Sequence, residues 1–429
     1  MNKTTRFIYM LRSKHILSVL TVSAGKAGVA VLSLVTAALV AMNYGQIGLG
    51  IFALLRVSPV VFNVVTDPGL SHAIPYLSAN RKIERPVLMA SGFWFYLAIS
   101  VLQIGLWALL APLIHSHLLG SLSLAAVYAA AVLAPMQSIA IMIVNLLRAE
   151  HRYNLANSVF LFSEILLLAL IAGSTLLSAN NIDNVVGYLI VSALVPIFGF
   201  SLLLLHGTRP PDLILRTSVI IEGVKFGLKS QVGNAFQILN YRLDHLLIGI
   251  YLAPDKVAIY FIATKAIEFF RFFTTSFMFV FEPIFAAQKN IDAKERIQKM
   301  LAPLLLANFA LLVVGAGVAP LVYPIVFGAW STEATAPLMV LGIGLTISGA
   351  NTLFGAYYLG QGRPGITTLA SSAGLLVTAM LAVVLIPAYE IIGAAATSSA
   401  AYAVVTLIYV RIFLCGREDG EHDRLEEAT

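Results

Sequence analysis

Charged residues are scarce in this sequence. Asp, Glu, Lys and Arg together make up only 11% of the 429 residues, whereas 59% of the residues are hydrophobic. A soluble globular domain carries about 25% charged residues. The composition therefore excludes a soluble domain and predicts a protein that lies mostly within a membrane.

Cysteine and the common catalytic motifs are also absent or nearly so. The single cysteine, Cys415, excludes an intrachain disulfide framework. The sequence contains no HExxH motif, no GxxxxGKS or GxxxxGKT loop and no glycine-rich phosphate loop, so it encodes neither zinc-dependent nor ATP-dependent hydrolysis. We therefore expect no catalytic residue, no metal site and no cofactor. The enzyme alternative is a polytopic glycan polymerase or glycosyltransferase, but such enzymes usually carry a sizeable loop and the loops here are short.

Long apolar runs, by contrast, are abundant. Runs of about 20 or more residues, the length that crosses a hydrocarbon core, recur twelve times and predict an all-α polytopic membrane protein with twelve transmembrane helices. The basic N-terminus resembles a signal peptide, but Lys26 interrupts the first run and the run continues to Ala41, which favours an uncleaved first span. The predicted spans are 16–42, 46–79, 87–114, 123–147, 155–177, 185–205, 222–252, 256–285, 299–325, 334–358, 366–386 and 391–414.

The two halves of the sequence match each other. Residues 256–290 align without a gap with residues 48–82, pairing Pro75 with Pro283, and the hydrophobic boundaries and basic exits coincide. This register indicates an internal duplication. Because six spans is an even number, the two six-helix repeats are predicted to be parallel. The predicted organisation is an N-terminal lobe (1–207), a cytoplasmic linker (208–220), a C-terminal lobe (221–415) and a cytoplasmic tail (416–429).

Basic residues outside the spans lie on one side of the predicted topology. They occupy the N-terminal tail, alternate loops and the C-terminal tail, whereas the opposite loops contain Lys256 alone. By the positive-inside rule the basic side is cytoplasmic, and both termini lie in the cytoplasm. The net charge of +6 resides in short loops and spans rather than in a basic tail, which argues against a nucleic-acid partner.

Apart from Lys256, Lys299 and Arg411 at span ends, seven basic residues lie within the predicted spans, all on the first two spans of each repeat. A charge at the bilayer centre costs at least about 2.5 to 3.5 kcal/mol, so it normally faces protein or an aqueous cavity. At 1.5 Å per residue, four of them lie about 15 Å deep. We predict that these four, Lys26, Arg56, Arg242 and Lys265, form a cationic layer at the midplane. Together with Arg271 they are the candidate substrate-binding residues; the remaining two are Lys225 and Lys229.

Acidic residues in the spans leave an alternative open. Glu268 lies three residues from both Lys265 and Arg271, close enough on a helix to pair with either. Such charges could neutralise one another and merely hold the spans together. Lys26 and Arg56 have no acidic residue near them in sequence, which favours a ligand-facing role for both. Candidates for ion coupling or charge pairing are Asp67, Asp244 and Glu268.

A short motif in the second span predicts an interruption of the helix. Asp67-Pro68-Gly69 lies within an otherwise apolar run. Proline removes a backbone hydrogen bond and glycine loosens the backbone, so the helix should break or kink here. The break could be static or could serve as a hinge.

Several stretches resemble the polysaccharide-transporter branch of the multidrug/oligosaccharidyl-lipid/polysaccharide exporter (MOP) superfamily. They are YGQIGLGIF followed by DPGLSHAIPYLSANRK, GNAFQILNYRLDHLLIGIYLAPDKVAIYFIATKAIE, and LIPAYEIIGAAATSSAAYAVV. The chain looks most like a bacterial O-antigen flippase of the Wzx type. The resemblance implies a V-shaped, MATE-like pair of six-helix lobes around a cavity lined by spans 1, 2, 7 and 8.

The same resemblance implies a function. Such a flippase moves an undecaprenyl-pyrophosphate-linked oligosaccharide from the inner to the outer leaflet of the bacterial cytoplasmic (inner) membrane by alternating access, for lipopolysaccharide biosynthesis. Related flippases place basic residues on spans 1, 2 and 8 against the pyrophosphate, and Lys26, Arg56 and Lys265 lie on the matching helices. Some relatives bind sodium with carboxylates on spans 7 and 11; span 7 offers Asp244 here, whereas span 11 has no acidic residue.

The implied partners are the lipid-linked oligosaccharide, membrane lipids and polysaccharide polymerases. The main alternative is a cation-coupled multidrug antiporter of the MATE-like type. Its relatives tend to use buried carboxylates, and span 1 has none. A major-facilitator transporter also has twelve spans, but the characteristic basic loop after span 2 is absent.

Overall fold

The computed structural model describes residues 14–150, 152–177, 181–205, 215–268 and 290–426. Within these ranges the side chains of residues 14–24, 26, 80–81, 203–205, 290–292 and 416–426 are not described. The described residues form helices joined by turns and contain no strand. This confirms the predicted all-α class for that part of the chain.

Within the described residues, helices cover the predicted apolar runs, although Lys14–Thr66 and Pro364–Glu426 each extend over two of them. A 3₁₀ turn at Ala130–Val132 connects two helices, and another at Ala329–Ala334 precedes the helix that begins at Thr335. The first seven helices are α1 (Lys14–Thr66), α2 (Leu70–Arg81), α3 (Arg85–His117), α4 (Leu124–Ala129), α5 (Leu133–Ala149), α6 (Tyr153–Leu176) and α7 (Asn184–Leu205). The others are α8 (Thr217–Tyr251), α9 (residues 254–268), α10 (Asn290–Phe327), α11 (Thr335–Gly360) and α12 (Pro364–Glu426).

Local residue chemistry explains where several helices begin. Pro86 lies in the first turn of α3 and Pro364 is the first residue of α12. Proline is tolerated there because its missing N–H would have no helical acceptor and its φ angle is already suitable. The side chain of Ser123 caps α4 by accepting a 3.2 Å hydrogen bond from the N–H of Ala126. A side-chain cap of this kind satisfies one of the helix's unpaired backbone donors.

Two of the longest helices contain a sharp break. The backbone of α1 leaves helical geometry at Gly45, where φ is 70°, and that of α12 does so at Glu390, where φ is 51°. The Glu390 carboxylate accepts a 2.9 Å contact from the Lys256 ammonium. Hydrogen bonding to Glu390 raises the pKa of Lys256, so the ammonium stays protonated at physiological pH and loses its proton only in strongly alkaline solution.

The interruption predicted at Asp67-Pro68-Gly69 is confirmed. Helix α1 ends at Thr66 and α2 begins at Leu70, with Gly69 in the left-handed region at φ 83°. The Asp67 carboxylate accepts a 2.7 Å hydrogen bond from the N–H of Gly69, which closes the turn. A hinge motion at this break remains a prediction.

Eight of the described helices or helix pairs are long and apolar enough to cross a membrane. Two of them far exceed the length of one span, and each contains one of the breaks described above. The predicted total of twelve spans and their arrangement as two repeats remain predictions. The eight segments are Ala27–Thr66, Arg85–His117, Leu124–Ala149, Tyr153–Leu176, Asn184–Leu202, Ala293–Phe327, Ala329–Gly360 and Pro364–Cys415.

The chain divides into two compact units. The first unit contains the chain up to Gly48 together with Leu55–Gln231, and the second contains Leu49–Leu54 together with the chain from Val232 onward. Helix α8 therefore contributes its first part to the first unit and its remainder to the second. The predicted domain limits, with a linker at 208–220, remain predictions.

Each unit has its own packed interior. In the first unit, Trp107 is fully buried and donates a 2.9 Å hydrogen bond to the carbonyl of Val127. In the second unit, the rings of Phe354, Tyr358 and Tyr409 stack between α11 and α12. Lipid tails are as apolar as these interiors, so close packing and internal hydrogen bonds, rather than burial from water, stabilise them.

A close backbone approach fixes the α1–α2 break against α8 within the first unit. A methyl group placed on Gly227 of α8 would lie 2.1 Å from the carbonyl oxygen of Gly69. The side chain of Gln231, one turn later, donates a 3.0 Å hydrogen bond to the carbonyl of Val64 in the last turn before the break. Only glycine at position 227 allows the two backbones to approach this closely.

We expect Gly227→Ala to destabilise the protein by about 1 to 3 kcal/mol or more, because the added methyl group meets backbone that cannot move aside. Thermal unfolding of the purified protein in detergent measures this loss. The matched control is Gly173→Ala, because a methyl group there meets no atom within 4 Å and alanine favours helix by about 0.5 to 1 kcal/mol. Equal melting temperatures for the two variants would contradict the prediction.

Candidate functional site

Helices α8 and α9 of the second unit bring three charged side chains together. The Glu268 carboxylate contacts the Arg242 guanidinium at 2.7 Å through one oxygen and the Lys265 ammonium at 2.8 Å through the other. Lys265 and Glu268 are one turn apart on α9, as their spacing predicts, whereas Arg242 comes from the preceding helix. We call Arg242, Lys265 and Glu268 the Glu268 cluster.

The Glu268 cluster keeps a positive charge. Two cations share one carboxylate, which leaves a net charge of +1 among the three side chains. All three are partly exposed, and Lys265 also lies 5.0 Å from the centre of the Phe261 ring. An aromatic face stabilises an ammonium in this position without cancelling its charge. The cluster is thus an accessible cationic group shared by α8 and α9.

In the first unit Arg56 is held by a carboxylate from a distant part of the sequence. Its guanidinium forms a two-pronged ion pair with Glu164 of α6, in which Nη1 lies 3.1 Å from Oε2 and Nη2 contacts Oε1. The two residues are 108 positions apart. Arg56 therefore has the acidic partner that its sequence neighbourhood lacks.

The Arg56–Glu164 pair lines a cavity of about 350 Å³. Helices α1, α5, α6 and α7 of the first unit form its walls, and most lining side chains are apolar. Three neutral polar side chains also face it: Gln137, Ser163 and Ser192. We call this space the Arg56 cavity.

Asp244 lies in a saturated hydrogen-bond network in the second unit. One carboxylate oxygen accepts 2.8 Å hydrogen bonds from the backbone N–H and the ring Nδ1 of His245. The other accepts hydrogen bonds from Tyr260 at 2.5 Å and from Ser398 at 3.2 Å. A carboxylate offers about four acceptor positions, and these bonds occupy all of them. The geometry thus favours a hydrogen-bonding role for Asp244 over binding of an additional ion.

Asp67 is buried in the first unit at the α1–α2 break. Besides Gly69, it accepts a hydrogen bond from the hydroxyl of Tyr96 at 3.3 Å. No ion pair with a basic side chain is present at Asp67 within the described ranges. A role of Asp67 in ion coupling remains a prediction.

The structure describes the side chains of three of the five predicted substrate-binding residues. Arg56, Arg242 and Lys265 each lie beside a carboxylate. Lys26 belongs to α1, but its side chain is outside the described part of the chain, as is the whole of Arg271. The convergence of Lys26, Arg56, Arg242 and Lys265 in one layer remains a prediction, as does a substrate-binding role for Arg271. Among the described residues, no group of three or more His, Cys, Asp or Glu side chains could hold a metal ion.

The sequence analysis did not identify the partners that the fold supplies to Arg56 and to Asp244. Glu164 is the only acidic residue in the predicted span 155–177, and an intramembrane carboxylate usually has a basic partner; this signal could have linked it to Arg56. His245 directly follows Asp244, but no spacing rule predicts that Tyr260 and Ser398 complete the network.

Comparison with known proteins gives a consistent assignment. Residues 47–336 match the family model described as "Polysaccharide biosynthesis protein". No curated protein matches the chain. Among solved structures, the lipid II flippase MurJ in an inward closed conformation aligns with a TM-score of 0.77 at 14% identity, covering 92% of this chain and 89% of that chain.

Two further solved structures share the fold. An inward-facing multidrug resistance MATE family transporter of the MOP superfamily aligns with a TM-score of 0.72 at 12% identity, covering 91% of this chain and 94% of that one. A MOP superfamily transporter from Pyrococcus furiosus, whose binding pocket is described as having reverse polarity, aligns with a TM-score of 0.66 at 13% identity, covering 95% and 96%. The family match covers more than half of the chain, so this protein belongs to the family described as "Polysaccharide biosynthesis protein".

Proposed function

We propose that the protein is a Wzx-type flippase that translocates undecaprenyl-pyrophosphate-linked O-antigen oligosaccharide from the inner to the outer leaflet of the cytoplasmic membrane. The observation that carries this proposal is the Glu268 cluster, in which one cation of α8 and one of α9 share one carboxylate. A pyrophosphate carries several negative charges, and moving it through a low-dielectric core needs compensating positive charge. The residual charge of the cluster supplies part of that compensation.

Basic residues of both units have a role in this proposal. Arg242 and Lys265 bind the pyrophosphate directly, and each charge-assisted hydrogen bond contributes about 1.5 to 3 kcal/mol. Arg56, Lys26 and Arg271 add to the same electrostatic recognition. Binding stays weak enough for release because carboxylates already neutralise part of the charge.

Family and fold relatives support this assignment. The family is named for polysaccharide biosynthesis, and one fold relative is a flippase of the lipid-linked precursor lipid II. The membrane location, cytoplasmic termini and contact with polysaccharide polymerases belong to the same proposal. Reporter fusions to each terminus test the orientation.

A cation-coupled multidrug antiporter is the second candidate, because MATE transporters share the fold and because Asp67 is a buried carboxylate. The positive Glu268 cluster would repel the cationic drugs that such an antiporter exports. Sensitivity of cells to cationic dyes, with and without the gene, separates the two functions. A strong increase in sensitivity on deletion, with normal surface polysaccharide, would favour the antiporter.

Reconstituted protein provides the direct test of the flippase. Proteoliposomes containing a fluorescent undecaprenyl-pyrophosphate-linked oligosaccharide are treated with a membrane-impermeant quencher, and the accessible fraction is followed over time. We expect the protein to accelerate exchange between leaflets well above the rate in protein-free liposomes. Exchange at the protein-free rate, with the protein correctly folded, would contradict the proposal.

A further inference from the structure

The ion pair between Arg56 and Glu164 carries an inference about substrate release, which rests on the proposed function. The guanidinium of Arg56 presents two parallel N–H groups to the two oxygens of Glu164. Arginine uses the same fork to bind the oxygens of a phosphate group. Glu164 therefore occupies the position that a phosphate of the substrate would take.

The two members of the pair differ in accessibility. The Arg56 side chain is 26% exposed, whereas that of Glu164 is only 8% exposed. An incoming anion can thus reach the guanidinium while the carboxylate stays covered by α6 and its neighbours. The Arg56 cavity has room for roughly ten waters at about 30 Å³ each, which is enough for a diphosphate group.

The surroundings of Glu164 can hold the carboxylate after it leaves the guanidinium. Gln137 and Ser163 line the same cavity and carry an amide and a hydroxyl donor, whereas the Ser192 hydroxyl already donates a 2.9 Å hydrogen bond to the carbonyl of Leu189. A displaced carboxylate needs such donors, because an unpaired charge in an apolar cavity is very costly. The lining of the cavity can therefore stabilise the Glu164 carboxylate while Arg56 binds another anion.

We propose that Glu164 is a built-in competitor of the substrate. It holds the guanidinium of Arg56 in the substrate-free protein, is displaced by the diphosphate of the lipid-linked substrate, and returns to expel that diphosphate on release. Its function is to limit affinity, so its removal strengthens binding and slows transport. A purely structural ion pair would behave in the opposite way, because its loss would weaken both folding and binding.

Binding of undecaprenyl pyrophosphate to the purified full-length protein in detergent tests this proposal. Native mass spectrometry or a fluorescence titration measures the dissociation constant, with undecaprenol as the uncharged comparison. We expect Glu164→Gln to bind undecaprenyl pyrophosphate about tenfold more tightly than the wild type, with no change for undecaprenol. The same variant should exchange the lipid-linked oligosaccharide between leaflets about tenfold more slowly. Unchanged or weaker binding by a folded Glu164→Gln protein would overturn the proposal.

Glu150→Gln is the matched control. Glu150 also forms an ion pair in the first unit, with Arg85 at 3.2 Å and Arg152 at 3.4 Å, but it does not line the Arg56 cavity. Its neutralisation removes the same charge from the protein and should leave the affinity for undecaprenyl pyrophosphate unchanged. An equal gain in affinity in this variant would attribute the effect to overall charge and overturn the assignment to Glu164.

A charge-swapped protein covers the case in which Glu164→Gln fails to fold. The double variant Arg56→Glu/Glu164→Arg keeps an ion pair but exchanges its polarity, so the more exposed member becomes negative. We expect it to fold and to bind undecaprenyl pyrophosphate at least tenfold more weakly than the wild type. Full binding by the swapped protein would identify the pair as structural and overturn the proposal.

The failure of this inference is distinguishable from that of the proposed function. If the wild type binds undecaprenyl pyrophosphate in preference to undecaprenol but Glu164→Gln binds no more tightly, only the competitor role is wrong. If the wild type does not distinguish the two lipids, the proposed function is wrong and the competitor role is wrong with it.

Discussion

Replacing Arg242 and Lys265 with glutamine is expected to abolish the restoration of surface polysaccharide in a transporter-null strain. These two residues supply the cations of the Glu268 cluster. Loss of two charge-assisted hydrogen bonds of about 1.5 to 3 kcal/mol each weakens pyrophosphate binding by roughly 100-fold or more. Surface polysaccharide is measured by gel electrophoresis of extracted lipopolysaccharide, with membrane insertion checked by immunoblot.

The Arg242→Gln/Lys265→Gln variant leaves Glu268 without these two partners, which alone could disturb folding. The triple variant Arg242→Gln/Lys265→Gln/Glu268→Gln removes that problem, because no charge of the cluster remains. If the charges merely hold α8 and α9 together, the neutral cluster should restore transport. If the charges bind the pyrophosphate, the triple variant should insert normally into the membrane but fail to restore surface polysaccharide. Restored polysaccharide in the triple variant would therefore remove the central support for the flippase.

A surface ion pair offers the matching negative control. Lys299 and Glu295 of α10 contact each other at 2.6 Å and are both largely exposed. Exposed pairs contribute little, since solvent screens them. We expect Lys299→Gln to transport normally.

The sequence predicts well those features that depend on neighbouring residues. Apolar runs set the helices, Asp67-Pro68-Gly69 ends α1, and the spacing of Lys265 and Glu268 brings their side chains together. Each of these depends on helix geometry over one or two turns. Local chemistry alone is sufficient for them.

Contacts between helices that are distant in sequence cannot be predicted from neighbouring residues. Arg56 meets Glu164, and Arg242 meets Glu268, only because particular helices pack side by side. Membrane helices associate through small residues and shape rather than through a strong hydrophobic pattern, so the sequence carries little signal for which helices are neighbours. Arg56 therefore appeared unpaired from the sequence, and the competitor role of Glu164 emerges only from the fold.

We expect Asp244→Ala to cause the largest loss of stability. Asp244→Ala removes the acceptor of hydrogen bonds from His245, Tyr260 and Ser398, and His245 and Ser398 are fully buried. Each buried donor left without an acceptor costs about 1 to 3 kcal/mol, so we expect a total loss of at least about 3 kcal/mol. At about 2 to 4 °C per kcal/mol for a unit of this size, the melting temperature in detergent should fall by roughly 6 to 12 °C.

Asp183→Ala is the control for Asp244→Ala, because this exposed carboxylate accepts a single 2.9 Å hydrogen bond from the N–H of Ser123. It should change the melting temperature by no more than about 2 to 4 °C. Asp244→Asn tests the chemistry further, since it keeps the size but replaces one acceptor oxygen with a donor. Its stability should fall between that of Asp244→Ala and that of the wild type. An Asp244→Ala protein that is as stable as the wild type but inactive would instead assign Asp244 to ion coupling, because an ion-binding carboxylate is needed for transport rather than for folding.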